Sequence, residues 1–318
     1  MKRNTNGWLC TKSHVSPLLC AISVYSVSLW LIEFLAKTHH RDTENTEVAQ
    51  RNQCVGTFCA KPTKVHMGLG ENTRHKLAQR ALARQLAYQK RKAEHLRGRE
   101  EEVISAMMRS SRRVRDTLEA FQPIEPEARV IEVGSGAHGL IFYFGSPHGI
   151  GVDPLAVSYR NLFPCWQNCA PTVAAVGESL PFADHSFDIV ICDNVVDHAE
   201  SPAQIVRELV RILVPGGLLY FTVNFHHPLY AVAARVHAGW RALGVPYEIG
   251  PFADHTTHLT LNAAERLFDG LPLQLLSAKS NVDEARARAR KQPPRHAGDR
   301  LKRVFFKNAL YEMVARRA

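Results

Sequence analysis

Between residues 100 and 225 the hydrophobic positions alternate between two periods, one helical and one extended. Val103, Met107, Val114, Leu118 and Phe121 recur at intervals of four, seven, four and three, which predicts a helix with one apolar stripe. Pro123 and Pro126 end that helix. The pattern then changes to short β-branched runs, each followed by a turn. Arg129–Val133 predicts a first strand, Gly149–Val152 a second and Pro171–Val176 a third. Phe187–Cys192 is apolar at nearly every position and predicts a fourth strand buried on both faces. Ser201-Pro202 followed by Gln204 predicts a helix start with a capping box and proline at its first position. Leu209, Ile212 and Leu213 face inward, Pro215-Gly216-Gly217 stops the helix, and Leu218–Val223 forms a fifth strand. Thr260 or Asn262 caps a further helix, Leu273–Leu276 reads as a sixth strand and Leu310–Ala315 as the last. Alternating β and α elements of this kind predict an open, mainly parallel seven-stranded Rossmann-like α/β sheet with helices on both faces. Ligands then bind at the strand carboxyl ends.

The chain before this region has a different character. Val15–Ile32 is an 18-residue stretch without a charge, preceded by Lys2, Arg3 and Lys12. It is read in three ways: an uncleaved membrane anchor, a buried or peripheral helix, or a leader outside the working protein. The third draws on Met67 as an alternative start. Residues 37–73 read as a linker. Arg74–Arg99 is rich in Ala, Leu, Gln, Lys and Arg and is expected to be a helical extension. Its basic residues lie all round, as on a solvated helix or one resting on an anionic surface. The expected organisation is an amino-terminal hydrophobic segment and linker over 1–73, a basic helical extension over 74–122 and a catalytic domain over 123–318.

Charge adds a partition. The 318 residues hold 40 Lys+Arg against 30 Asp+Glu, a net charge of +10. The excess lies in the flanks, 74–116 and 284–318, whereas 117–283 is net acidic. Basic flanks invite a nucleic-acid reading, but the acidic centre makes nucleic acid an unfavoured partner. Seven cysteines, with Cys54 and Cys59 spaced C-x4-C and Cys165 and Cys169 C-x3-C, do not form a disulfide framework or a zinc knuckle, so no metal is assigned.

The chemistry concentrates at the strand ends. The first strand runs into Gly134-Ser135-Gly136-Ala-His-Gly139, where close approach of a ligand to the backbone and free helix N–H groups require glycine. Asp153 ends the second strand, placed to accept ribose hydroxyl hydrogens. Turn and acid together point to an adenosine-containing cofactor. Glu132, two residues before the first glycine, would repel a pyrophosphate and suits a cationic amino-acid end.

The segments VIEVGSGAHG, the acid in GVDP, ESLPFADHSFDIVICDN and RELVRILVPGGLLYFTV occur in a fixed order over roughly 120–225. Together they resemble the class I S-adenosylmethionine-dependent methyltransferases, and in particular the small-molecule, ubiquinone-biosynthesis-like (methyltransferase type 11) subgroup. The resemblance implies S-adenosylmethionine as cofactor. By it Glu132, Gly134, Ser135, Gly136 and Gly139 hold the methionine end, Asp153 the ribose, and Glu178 and Ser179 the adenine. Asp193 and Asn194 would face the methionine part. Two departures stand out: an extra residue in the glycine turn, and Gly177 where many relatives carry an acid. The fourth strand leads into Asp193-Asn-Val-Val196 and not the Asn-Pro-Pro-Tyr of amide-nitrogen methyltransferases, which points to an oxygen or carbon acceptor.

Methyl transfer needs an aligned acceptor and often a base. Asp197 and His198 follow the fourth strand, Asn224, His226 and His227 the fifth. His198, Asp197 and His226 are the candidate catalytic residues, with a loop or helix-cap role as the alternative for each histidine. Pro228–Leu243 reads as an acceptor lid or as ordinary core, and Asp254, His255 and His258 as a further polar cluster. Ala285–Lys291 is basic, suited to an anionic acceptor or to solvent. The expected function is methyl transfer to an O, N or C atom of a small or lipid- or sugar-linked acceptor. The alternatives are a non-catalytic binding or scaffold protein of the same fold, or an NAD(P)-dependent oxidoreductase. A cytoplasmic catalytic domain is expected, membrane-associated through the amino-terminal segment and basic flanks if residues 1–66 are retained. The sequence does not specify an oligomeric state.

Overall fold

A computed structural model describes residues 69–232, 257–291 and 309–318. All lie in the second of two units into which the chain divides, Met1–Lys61 and Pro62–Ala318. The hydrophobic run Val15–Ile32, most of the expected lid and most of the 251–258 cluster lie outside the described residues. Among the described residues no helix is long and apolar enough to cross a membrane.

Two helices come first, α1 (Leu69–Leu96) and α2 (Glu100–Glu119), joined through Gly98 at a φ of +79°. α2 buries Met107, Ser111, Val114 and Leu118 against the sheet side, close to the expected stripe. Phe121 falls beyond the last helical turn and is exposed, because the helix ends at Glu119 before the prolines are reached.

The sheet is built from β1 (Val130–Val133), β2 (Gly149–Val152), β3 (Thr172–Val173), β4 (Phe187–Asp193), β5 (Leu213–Phe225), β6 (Leu273–Ser280) and β7 (Ala309–Arg317). Its order is β3-β2-β1-β4-β5-β7-β6. β1 to β5 run parallel, and β7 runs antiparallel between β5 and β6. Strand order reverses between β1 and β4, so the crevice above their carboxyl ends is the ligand position of this architecture. α3 (Ala156–Leu162) and α4 (Pro164–Gln167) link β2 to β3. α5 (Pro202–Ile212) links β4 to β5, α6 (Leu261–Glu265) precedes β6, and α7 (Val282–Lys291) follows it.

Two cores sandwich the sheet. On one face Ile131, Val133, Val190, Leu209, Ile212 and Leu219 pack under α5. On the other Val114, Leu118, Leu140, Phe144, Trp166 and Tyr220 pack under α2 and the β1–β2 connection. β4 is buried almost throughout because it is central in the sheet with helices on both sides.

Three local expectations change. The glycine turn leads into a single 3-10 turn, Leu140–Tyr143, and not an α-helix; only five residues separate it from β2. Ser201 makes no side-chain cap on α5; the Glu178 carboxylate accepts from the N–H groups of Glu200 (3.0 Å) and Ser201 (3.3 Å) instead. β5 begins at Leu213, the pairing with β4 slipping between Phe187 and Ile189 as the chain passes Gly216 at a φ of +81°. Thr260 does cap α6, its hydroxyl oxygen accepting from the Ala263 N–H at 3.3 Å.

Candidate functional site

The loops after β1 and β4 meet over the strand-order reversal. Gly134 turns away from β1 at a φ of +78°, and a Cβ there would overlap the Val195 methyls of the β4 loop. Only glycine satisfies both the conformation and the approach. Gly136 also has positive φ (+56°), but a Cβ there would meet only the Gly134 carbonyl oxygen, at 3.8 Å; the backbone is therefore open to a ligand. The extra residue in the turn is held by α4. The Trp166 indole N–H donates to the Ala137 carbonyl at 2.7 Å, and the Gln167 amide donates to the carbonyls of Gly136 (3.0 Å) and Ala137 (3.1 Å). Trans peptide geometry then points the N–H groups of Ala137 and His138 the opposite way, as anion-binding turns do.

Three acids surround this turn. Glu132 is buried at the end of β1, where its carboxylate accepts from the Ile141 N–H at 2.9 Å and also from Leu140. Burial, aided by the charges of Asp193 and Asp153 and opposed by the two backbone hydrogen bonds, pushes its pKa up to about 8, so at neutral pH the carboxyl keeps its proton. A Cβ on Gly139 would come within 2.6 Å of Glu132 Oε2, so Gly139 is the seat of that side chain. Asp153 accepts from the Gly136 N–H (3.1 Å) and the Leu155 N–H (2.7 Å), and burial pushes it up to about 6. Asp193 accepts from the Thr222 hydroxyl, and burial raises its pKa as well. Ser135 is packed over Gly151, its hydroxyl without a hydrogen-bond partner.

Asn194 takes a left-handed conformation, φ +58°, and its amide oxygen accepts from the Asn224 N–H at 2.9 Å. A strained non-glycine residue at a central strand end fixes the loop that contacts Gly134. Asp197 and His226 are both fully buried, whereas His198 is half exposed with its Nε2 at 3.8 Å from the Asp197 carboxylate. The Asp197 carbonyl accepts from the Thr257 N–H at 2.9 Å, which brings segment 257–260 onto the β4 loop. His226 lies with its ring 5.0 Å from both Tyr230 and His258. Sequence reasoning named Asp197, His198 and His226; the structure separates the buried pair from the exposed ring.

The positions of Glu178 and Ser179 are less direct. Ser179 is exposed, and the Glu178 carboxylate is engaged on the start of α5. Gly177 has a packing cause, since a Cβ there would come within 3.0 Å of Ile205 and 3.3 Å of Val133. A side chain at that position would have to displace Ile205 and Val133 by a few tenths of an ångström. A network not anticipated from sequence ties α2 to the sheet beside the site. Arg113 donates to Glu312 (2.8 Å) and to the Tyr220 hydroxyl (3.0 Å), and that hydroxyl donates to Glu312 at 2.9 Å. Its members are 199 and 92 residues apart, and no local pattern marks such a pairing.

These residues fit a cationic ligand at the methionine end of the crevice. Asp153, ionised above about pH 6, would repel a dinucleotide pyrophosphate and attract a sulfonium with an ammonium group, and a cation beside the protonated Glu132 would favour release of its proton.

Residues 131–221 match the family model described as a methyltransferase domain. The chain is 33% identical over 134 residues to a malonyl-[acyl-carrier protein] O-methyltransferase of Enterobacter lignolyticus, covering 42% of this chain and 51% of that protein. It is 31% identical over 150 residues to an uncharacterized methyltransferase of Mycobacterium sp. (strain KMS), covering 46% and 50%. The chain thus spans about half the length of these relatives. A solved geranyl diphosphate C-methyltransferase of Streptomyces coelicolor aligns at a TM-score of 0.46 and 13% identity, over 63% of this chain and 75% of that one. The family match falls on the strands and turns that build the crevice, and it is residues 131–221 that carry the class I S-adenosylmethionine-dependent methyltransferase domain.

Proposed function

We propose that this chain is a methyltransferase that moves the methyl group of S-adenosylmethionine to an oxygen, nitrogen or carbon atom of a small or lipid- or sugar-linked acceptor. The observation that carries the reading is the meeting of three recessed acids with an open glycine turn at the strand-order reversal. When bound, the cofactor supplies an electrophilic methyl group on a sulfonium. Gly134 and Gly136 admit it to the backbone, Asp153 holds the ribose, and Glu132 stabilises the glycine turn and compensates positive charge. Asp193 and Asn194 line the methionine side. Glu178 and Ser179 flank the adenine, Glu178 also holding the start of α5.

Asp197 and His226 are the groups assigned to the acceptor. Both are shielded from water, and a base there removes the acceptor proton while the loops exclude competing water. His198, half exposed, is assigned to the entrance of the crevice. The malonyl-[acyl-carrier protein] O-methyltransferase among the relatives supports an oxygen acceptor. The basic residues of α1 and α7 support contact with an anionic surface, with the catalytic domain on the cytoplasmic side.

For the alternative of a non-catalytic scaffold, the motive is Gly177, and close packing against Ile205 and Val133 gives that glycine a structural reason. The test is calorimetric titration with S-adenosylmethionine, followed by mass spectrometry of extracts incubated with cofactor and either wild-type or Asp153→Ala protein. Cofactor binding and a product 14 Da heavier that disappears with Asp153→Ala are expected. Saturation by NAD without binding of S-adenosylmethionine refutes the assignment.

A further inference from the structure

Two thiols of the β2–β3 connection stand outside both cores. Cys165 and Cys169 are exposed and unbridged, whereas Trp166 and Gln167 between them are each only 1% exposed. Asn168 continues the helical backbone beyond α4, at φ −87° and ψ −3°, and the Cys169 N–H donates to the Trp166 carbonyl at 3.0 Å. The two cysteines therefore lie one turn apart on the same side. The Cys169 side chain folds back over that turn, its Sγ 3.9 Å from the Cys165 carbonyl oxygen. The C-x3-C spacing, which builds no zinc knuckle, here presents two thiols to solvent side by side.

What the pair brackets is the support of the glycine turn. Trp166 and Gln167 donate to the carbonyls of Gly136 and Ala137 over 2.7–3.1 Å, and Phe163 stacks on the Trp166 ring at 5.1 Å. Those bonds fix the peptide planes whose opposite N–H groups face the ligand side of the turn. A disulfide holds its Cβ atoms about 3.5–4.5 Å apart. Adjacent turns of a helix hold them about 5–6 Å apart. Joining Cys165 to Cys169 therefore draws the segment in by about 1–2 Å. Trp166 and Gln167 lie inside the loop so closed, and hydrogen bonds as short as theirs do not survive a displacement of that size.

We propose that Cys165 and Cys169 form a reversible dithiol–disulfide site, and that closing the disulfide withdraws Trp166 and Gln167 from the glycine turn and so weakens cofactor binding. The reactant is a low-molecular-weight disulfide such as glutathione disulfide. One cysteine, as its thiolate, attacks a sulfur of the reagent; a mixed disulfide forms and one glutathione leaves. The second cysteine attacks the protein sulfur of that mixed disulfide, the Cys165–Cys169 bond forms and the other glutathione leaves. The two electrons and two protons lost by the cysteines end on the two glutathione molecules. Dithiothreitol reverses the exchange. The effect on affinity rests on the glycine turn being the cofactor seat, whereas the bond and the movement of the turn do not.

The experiment treats the full chain with excess glutathione disulfide and compares it with the same sample reduced by dithiothreitol. The double variant Cys165→Ser, Cys169→Ser, which keeps every other thiol, is carried through both treatments. Mass spectrometry of the unreduced digest reads the bond, hydrogen exchange over residues 134–144 reads the turn, and calorimetry reads S-adenosylhomocysteine binding. In wild type, oxidation is expected to give the Cys165–Cys169 bond, faster exchange over 134–144 and an affinity lower by roughly 10-fold or more, because the competent form of the turn is depopulated. Dithiothreitol restores all three, and the double variant responds in none. Absence of the bond, or a bond that leaves the affinity of wild type unchanged, overturns the proposal. So does an affinity loss shared by the double variant, which assigns the effect to other cysteines. If reduced wild type binds no S-adenosylhomocysteine while exchange over 134–144 still follows the bond, the cofactor reading fails and the dithiol site stands. Cys165→Ala, Cys169→Ala replaces the serine pair if that does not fold.

Discussion

Glu132→Gln tests the electrostatics of the crevice most directly. Burial takes the Glu132 carboxyl from 4.5 to about 8. At about 1.4 kcal/mol per pH unit, its ionised form is then disfavoured by about 5 kcal/mol in the fold relative to the unfolded chain. The sign follows from proton counting. Between pH 4.5 and 8 the folded protein holds a proton that the unfolded chain has released, so stability is highest below 4.5 and falls as pH rises to 8. Asp153, pushed up to about 6, and the raised Asp193 act in the same direction, and comparing wild type with Glu132→Gln isolates the Glu132 part of the window from 6 to 8. Across that window Glu132 removes about 2 kcal/mol, and by pH 7 about 3 kcal/mol has gone relative to pH 4. Glutamine keeps an oxygen to accept from the 140 and 141 N–H groups and cannot ionise. In urea unfolding of the cofactor-free protein at pH 6, 7 and 8, the variant should therefore gain about 2 kcal/mol on wild type across the series. It should also bind S-adenosylmethionine more weakly, because a cation beside Glu132 favours the ionised form, and binding by wild type at pH 7 should release a proton. Parallel pH curves for the two proteins would show that Glu132 is already ionised in the fold, and the argument from a charge-hungry crevice would fail.

Other predictions concern its supports. Arg113→Met leaves Glu312 and Tyr220 without their cation, and unfolding should show a loss of about 2–3 kcal/mol, below a fully buried pair because Arg113 is a third exposed; Glu312→Gln in the same chain should recover part of it. Gly134→Ala forces a side chain into a left-handed position against Val195 and should cost about 2–4 kcal/mol, with Val195→Ala relieving the clash but not the backbone strain. His226→Phe keeps an aromatic ring beside Tyr230 and His258 and should leave cofactor affinity unchanged while turnover falls about 100-fold; unchanged turnover would exclude it as the base.

Asn194 shows how far local pattern reached. It was legible as a strand-end site residue because β4 is apolar from Ile189 to Cys192 and ends in Asp193-Asn194. Its left-handed conformation was not, since it depends on the Asn224 N–H from a different strand. Glu178 is expected near the adenine from its motif, and in the fold its carboxylate accepts from the Glu200 and Ser201 N–H groups just before α5, where Ser201 itself makes no side-chain cap. Local spacing pointed to a cap from within the segment, and the contact that forms there comes from a residue 22 positions away from Glu200.

By itself, the sequence determined the succession of strands and turns along the chain, the strand carboxyl ends as the ligand side, and the acids Glu132 and Asp153 there. Those rest on hydrophobic period and on glycine and proline chemistry, which act within a few residues. It also gave the basic character of residues 74–99. Only the tertiary structure decided that Gln89 of that segment is buried, that Arg113 meets Glu312, and that Asp197 and His226 are buried while His198 is not. Helical spacing states which residues share a face. What that face meets is set by long-range packing, and the collapse of the segment after the glycine turn to one 3-10 turn is part of that packing.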